Sequence, residues 1–209
     1  MKIQTFALIT LLILLNACSD NDDNTQLVEA VEKDTYLQPR PEPNPDKNAY
    51  FGDLHVHTSN SFDAYTFGTI ANPEDAYKFA QGEAIPHPTG YEIQLKRPLD
   101  FYAVTDHAVF LGMIKEAADT RSEFSKYEFT KPMHNLNEEV SNSLFSIIQR
   151  SGLFRGFGGA AREGLEDGSV DRKLIESVGK SVWKKTIKAA DDAYQPGKFT
   201  TFAGYEYSS

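Results

Sequence analysis

Basic residues are scarce in this 209-residue chain: 21 lysines and arginines stand against 30 aspartates and glutamates, a net charge of -9. A surface of that sign repels phosphate backbones, which argues against nucleic-acid binding through a broad basic face. Cysteine occurs once, at Cys18, so no internal disulfide can form. No GxxxxGK[ST] phosphate loop is present, and no HExxH metal helix. The apolar run Phe6–Ala17 is too short for a comfortable membrane span, which needs roughly 20 residues. Histidine is rare as well, with five in all, yet two of them stand one residue apart in "YFGDLHVHTSNSFDAYTFG".

The first residues do not read as fold. A short basic start and the apolar run lead into Leu15-Asn16-Ala17-Cys18. This resembles a bacterial lipobox, which implies cleavage before Cys18, its lipidation, and a membrane anchor through the N-terminal lipid. The alternative is an ordinary secretory signal with an incidental cysteine. Acyl chains contribute roughly 0.8 kcal/mol per buried methylene. The expected organisation is a signal peptide over 1–17, a tether over 18–48, and a folded domain over 49–209. The tether is acidic ("SDNDDN") and proline-rich ("QPRPEPNPDKN"), too poor in apolar residues to offset the entropy of ordering. The expected location is the cell envelope, on the non-cytoplasmic side of a membrane.

The folded part alternates strand and helix patterns. "YFGDLHVH" reads as a buried strand ending in histidines, and "LDFYAVTDH" as a second ending in Asp106-His107. "KFTTFAGYEY" reads as a third, carrying Glu206 near its end. "NPEDAYKFAQG" has Asn72 to cap a helix, Pro73 to start it and Gly82 to stop it. "YEIQLK" alternates as a half-exposed strand, and "VFLGMIKEAA" reads as helix. A helical insertion follows. Its first helix is expected from an Asn135/Glu138 capping box, with Leu136, Val140, Leu144, Ile147 and Ile148 on one face. Its second places Leu174, Val178, Val182, Thr186, Ala190 and Tyr194 at every fourth position. Such an order predicts an α/β fold with a parallel sheet, whose site lies at the carboxyl ends of the strands.

Each apolar run delivers nitrogen or carboxylate donors to that rim. His55 and His57, two positions apart on a strand, point the same way and can reach one ion at about 2.0–2.1 Å. Asp63 comes off the next loop. Strand propensity asks for none of these residues, so three such endings in succession argue for a metal site.

In order, "DLHVHT" with its following aspartate, "FYAVTDH" and "FAGYEY" resemble the first three motifs of the polymerase-and-histidinol-phosphatase (PHP) superfamily of metal-dependent phosphoesterases. The wider wording of "NPEDAYKFAQGE", "RPLDFYAVTDHAVFLG" and "FTTFAGYEYSS" resembles the bacterial branch named only as domain of unknown function 3604. The resemblance spans Ala49 to Ser209. It implies the N-terminal part of a distorted (β/α)7 barrel, with the helical insertion between the second and third strands. It also implies divalent metal ions (Zn, Mn or Fe), up to three in the complete protein. His55 and His57 would hold the first ion, Glu206 would bridge the first and second, and Asp63 and His107 would hold the third. Asp106 would support catalysis by fixing a histidine's tautomer or orientation. Asp63 follows the second histidine by six positions, one more than the family's more frequent spacing. The family's later ligands are not in this sequence, which implies an N-terminal fragment of a longer lipoprotein with negligible activity alone.

The implied activity is hydrolysis of a small-molecule phosphate ester, or a related ester. The competing class is a lipoprotein that binds a metal or ligand without turnover. His87 and His134 read as ordinary turn and surface residues. "RGFGGAAREG" has a GxGxxA spacing at Gly156, Gly158 and Ala161, but it lies in a helical insertion and not after a strand, so it reads as a flexible linker. Trp183 reads as a packing residue.

Overall fold

Asn72-Pro73-Glu74-Asp75 starts a helix for reasons local to those residues. The Asn72 side chain accepts from Asp75 N at 2.8 Å, and Asp75 returns the bond by accepting from Asn72 N at 3.1 Å. Pro73 occupies the first turn, where its missing N–H costs nothing. The resulting helix α2 (Pro73–Ala80) follows a short α1 (Phe62–Thr66). Both lie between strands β1 (Gly52–Val56) and β4 (Phe101–Val104). The computed structural model describes residue 44, residues 47–138 and residues 143–208.

β1, β4 and β5 (Thr200–Ala203) form a three-stranded parallel sheet in the order β1-β4-β5. Parallel neighbours need long crossovers, and helices supply them. Between β4 and β5 run α3 (Met113–Ala118), two short 3-10 turns, α4 (Leu144–Asp167) and α5 (Arg172–Ala193). A separate antiparallel pair joins β2 (Ile85–Pro86) to β3 (Glu92–Ile93). The fold is thus mixed α/β with a parallel sheet, and the sheet is open among the described residues.

Two apolar clusters hold it. Tyr77 and Ala80 of α2 pack with Tyr102 and Val104 of β4, Ala189 and Ala190 of α5, and Phe199. Tyr77 keeps its hydroxyl paired with Phe202 O and Val104 N, both at 3.3 Å. A second cluster joins Met113, Ile114 and Ala117 of α3 to Phe124, Met133, and Phe157 and Ala161 of α4. Each fully buried large side chain contributes about 1.5–3 kcal/mol.

Several expectations are corrected. β1 is largely exposed, with Leu54 at 54%; among the described residues it is a sheet edge paired with β4 alone. The strand expected over 91–96 shrinks to Glu92–Ile93. The helix expected from Val109 starts at Met113, since Phe110 and Gly112 both take left-handed backbone angles. Asn135 is also left-handed (φ 57) and caps no α-helix. The helix there begins at Leu144, where Ser143 accepts from Ser146 N. Leu144, Ile147 and Ile148 are exposed, while Val140 lies outside the described residues. Arg155–Gly164 is helical, not a linker: burial of Phe157 and Ala161 outweighs the cost of its glycines. In α5, Leu174 and Val178 pack against the second cluster and Thr186 and Ala190 are buried, but Tyr194, just past its end, is exposed. Among the described residues no helix is long and apolar enough to cross a membrane.

Candidate metal centre

The parallel sheet brings its three carboxyl ends to one rim. His55 lies in β1 and His57 just past its end. His107 follows β4 and Glu206 follows β5, and these two pair as neighbours in an isolated parallel bridge. That bridge is closed by Ala108 N donating to Glu206 O at 2.9 Å and Glu206 N donating to Asp106 O at 3.0 Å. The third strand is therefore locked to the second at the rim itself.

One oxygen of Glu206, Oε2, stands 2.9 Å from His55 Nε2 and 2.8 Å from His57 Nε2. Its other oxygen is 3.4 Å from His107 Nδ1. On the far side of the His57 ring, Nδ1 lies 3.1 Å and 3.2 Å from the two oxygens of Asp63. His107 Nε2 is 3.5 Å from Asp63 Oδ2. His55, His57 and Glu206 make one group able to hold a metal ion, and His57, Asp63 and His107 make a second, with donor atoms in each within 4.8 Å of one another. His57 belongs to both. The His57 and His107 side chains are only 17% and 15% exposed, whereas His55 is 73% exposed. His55 therefore marks the solvent side.

The electrostatics suit cations. Burial works to raise the Asp63 carboxyl, but hydrogen bonds from Ser61 and Ala64 N and the nearby His57 outweigh it and leave it below its ordinary value. At Glu206 desolvation is likewise outweighed, by His57, His107 and His55, and the carboxyl is lowered. Asp106 is the opposite case. It is 2% exposed, and burial raises its carboxyl despite two hydrogen bonds from Thr58. Thr58 N donates to Asp106 Oδ1, and Thr58 Oγ1 donates to Oδ2 at 2.7 Å. Asp106 thus spends both oxygens on Thr58 and clamps the loop that follows His57. Three imidazoles and two ionised carboxylates on one rim form a mixed donor set that fits Zn, Mn or Fe.

The family model described as Protein of unknown function (DUF3604) matches residues 44–209. The chain belongs to that family. No curated protein and no solved structure matches it.

Three hydroxyls of this DUF3604 chain escaped the sequence reading. Ser61 is fully buried; its Oγ donates to Asp63 Oδ1, lies 3.3 Å from His57 Nδ1, and accepts from His107 N at 3.3 Å. It touches three of the donor-bearing residues at once. Ser208 Oγ is 2.6 Å from His107 Nδ1. Thr58 holds Asp106. The signal for two of them was their place between the histidines and Asp63 in "HTSNSFD". His87 stacks on Tyr91 with ring centroids 4.3 Å apart, and His134 Nε2 bonds Ser125 O at 3.0 Å; neither belongs to the donor groups. Cys18, the signal peptide over 1–17 and most of the tether lie outside the described residues.

Proposed function

We propose that this protein is a metal-dependent hydrolase of phosphate esters, or of closely related esters, built on a PHP-type barrel. The observation that carries the reading is the pair of donor groups sharing His57 at the carboxyl ends of three parallel strands. The PHP motifs around the same residues support it. Divalent ions in such a site supply an acidified water and neutralise charge on the phosphoryl oxygens.

The chain's residues have distinct tasks in this scheme. His55, His57 and Glu206 hold one ion, and Asp63 and His107 hold another. A neutral imidazole offers one lone pair. With its hydrogen on Nδ1, His57 donates to Asp63 and presents Nε2 to the side of His55 and Glu206, so Asp63 also fixes the tautomer of its neighbour. Ser61 holds Asp63 in place. Asp106 keeps the Thr58 backbone, and with it His57, in register against β4. The exposed His55 leaves the site open to a small ester from solvent. Cys18 acylation would hold the enzyme at the cell envelope.

The test is metal content and phosphate release. The chain is dialysed against Zn, Mn or Fe, analysed by atomic emission, and assayed with an aryl phosphate alongside the full-length gene product. Metal retained by the wild type and lost in His57→Ala, with phosphate release by the full-length gene product, is the expected result. Metal retention without turnover on any phosphate ester moves the protein to the binding class. Absence of bound metal ends both readings.

A further inference from the structure

Helix α4 buries one face and leaves the other bare. Arg150, Phe157 and Ala161 are buried, and the last two belong to the second apolar cluster. The opposite face begins with Leu144, Phe145 and Ile148, which are 73%, 77% and 63% exposed. It continues through Gly152, Gly156 and Gly159, all exposed, and a Cβ at any of the three meets nothing within 4 Å. Positions 145, 148, 152, 156 and 159 recur at spacings of three and four, so they share one stripe of the helix. Large exposed apolar side chains grouped in this way mark contact surfaces.

The stripe is complementary to itself. Its first half carries bulk and its second half carries none. Phe145 lies seven positions before Gly152 and Gly159 seven after it; Ile148 lies four before and Gly156 four after. When two copies of α4 run antiparallel about a twofold axis at Gly152, Phe145 comes level with the partner's Gly159, and Ile148 with the partner's Gly156. Bulk then meets bare backbone at both ends of the contact, and the glycines let the helix axes approach to about 8 Å, the short end of helix packing. A parallel pair instead sets phenylalanine against phenylalanine and glycine against glycine. Charge does not oppose the antiparallel pairing. No acidic residue stands between Leu144 and Ala160, and Arg150 is turned inward to Thr66, Leu136 and Asn137. The exposed cation that remains in that span, Arg155, comes level with the partner's Gln149, an acceptor.

We propose that α4 is the interface of a homodimer in which two copies pack antiparallel about Gly152. This interface is independent of the hydrolase reading. From Leu144 to Ala160 the helix is about 24 Å long. A strip of that length buries on the order of 1,000 Å² over both copies, below the roughly 1,200–2,000 Å² of stable complexes. Association is therefore in the micromolar range. A lipid surface would take up the apolar half equally well, but it has no use for three bare glycines, and the face offers a single cation to anionic headgroups.

The test is made on the full chain carrying Cys18→Ser, so that no native thiol interferes. Sedimentation velocity across the micromolar range should show a monomer–dimer equilibrium. Phe145→Gly and Gly159→Phe should each weaken it about tenfold or more, the first by removing the knob and the second by setting two phenyl rings at one level. The double variant exchanges knob and hole, and should return the dimer to within about threefold of the parent. Gly152→Cys lies on the axis and should oxidise to a covalent dimer, whereas Ser177→Cys, exposed on α5, should not. None of these side chains would touch the chain's own core, so thermal melts should show every variant folded. A monomer at every concentration, a double variant as weak as the single ones, or equal cross-linking through Ser177→Cys overturns the proposal. A monomer that binds phosphatidylcholine–phosphatidylglycerol vesicles through Phe145 overturns it too, and gives the face to a membrane.

Discussion

His57 Nε2 stands 2.8 Å from Glu206 Oε2, although 149 positions separate the two residues. The contact exists because β4 lies between β1 and β5 and is parallel to both. The same oxygen is 2.9 Å from His55, so two imidazoles converge on one carboxylate. Of these two imidazoles, His57 also faces Asp63 through its other nitrogen. That dual position separates it from its neighbour.

His57→Ala should therefore remove a donor from the first group and the hydrogen bond that orients Asp63 in the second, while His55→Ala disturbs only one. The expected loss of zinc affinity for His57→Ala is at least ~100-fold, since even residues that merely orient a ligand cost 10–100-fold. His55→Ala should leave binding at the Asp63–His107 side measurable. Isothermal titration of each variant with Zn checks this. Equal losses in both variants would show that His57 serves one group only.

The lowered Glu206 and Asp63 carboxyls set an acid limb for stability. Each is more acidic folded than unfolded, so its stabilising contribution is full above the ordinary carboxylate value, 4.5 for Glu206, and is lost as pH falls through the folded value. Melting the metal-free chain between pH 7 and pH 3 should show a falling Tm below about pH 4.5. In Glu206→Gln that fall should be shallower, with the Asp63 part remaining. A steeper fall in the variant would contradict the assignment.

The rim was legible because its residues break a pattern. His55, His57, His107 and Glu206 end apolar runs where strand propensity calls for nothing of the kind, and the alternation of strand and helix pointed to a parallel sheet. What stayed hidden depends on tertiary contacts. Nothing local tells Ser61 from Ser59 or marks it as touching Asp63, His57 and His107. Arg150 is another such case: it is buried, and it bonds Thr66 O, Asn137 Oδ1 and Leu136 O at 2.8 Å each. Its partners are 13 to 84 positions away. The glycines of 155–164 suggested a linker because local cost is visible in sequence, whereas the burial of Phe157 that repays it is not.

Thr58→Val tests the clamp on Asp106. The backbone bond from Thr58 N survives, but the hydroxyl donor to Oδ2 is gone, leaving a buried carboxylate under-paired. The expected cost is about 1–3 kcal/mol, or roughly 2–12 °C in Tm for a chain of this size. Asp106 is less acidic folded than unfolded, so folding favours its protonated form. Losing a donor to the carboxylate raises that value further. The cost should be full above the folded value and shrink toward acid, so the Tm gap between variant and wild type narrows from pH 7.5 to pH 4.5. A gap independent of pH would mean that the lost hydroxyl acts through packing alone.

Gly112 joins the site loop to the helical layer, and its replacement separates two costs. Its φ of 76 lies in the left-handed region, its N–H donates to Asn60 O at 2.8 Å, and it caps α3. A Cβ there would meet Val182 Cγ2 of α5 at 2.6 Å. Gly168 has a similar φ of 80 with nothing within 4 Å of its Cβ position. Gly168→Ala should therefore cost only the backbone strain, about 1–2 kcal/mol. Gly112→Ala should add an overpacking cost of about 1–3 kcal/mol, because the short, β-branched Val182 of α5 stands where the new methyl would go. Urea denaturation of both variants checks the difference. If the two lose the same stability, α5 yields to the extra methyl, and that helix is softer than the packing of Val182 against Gly112 implies.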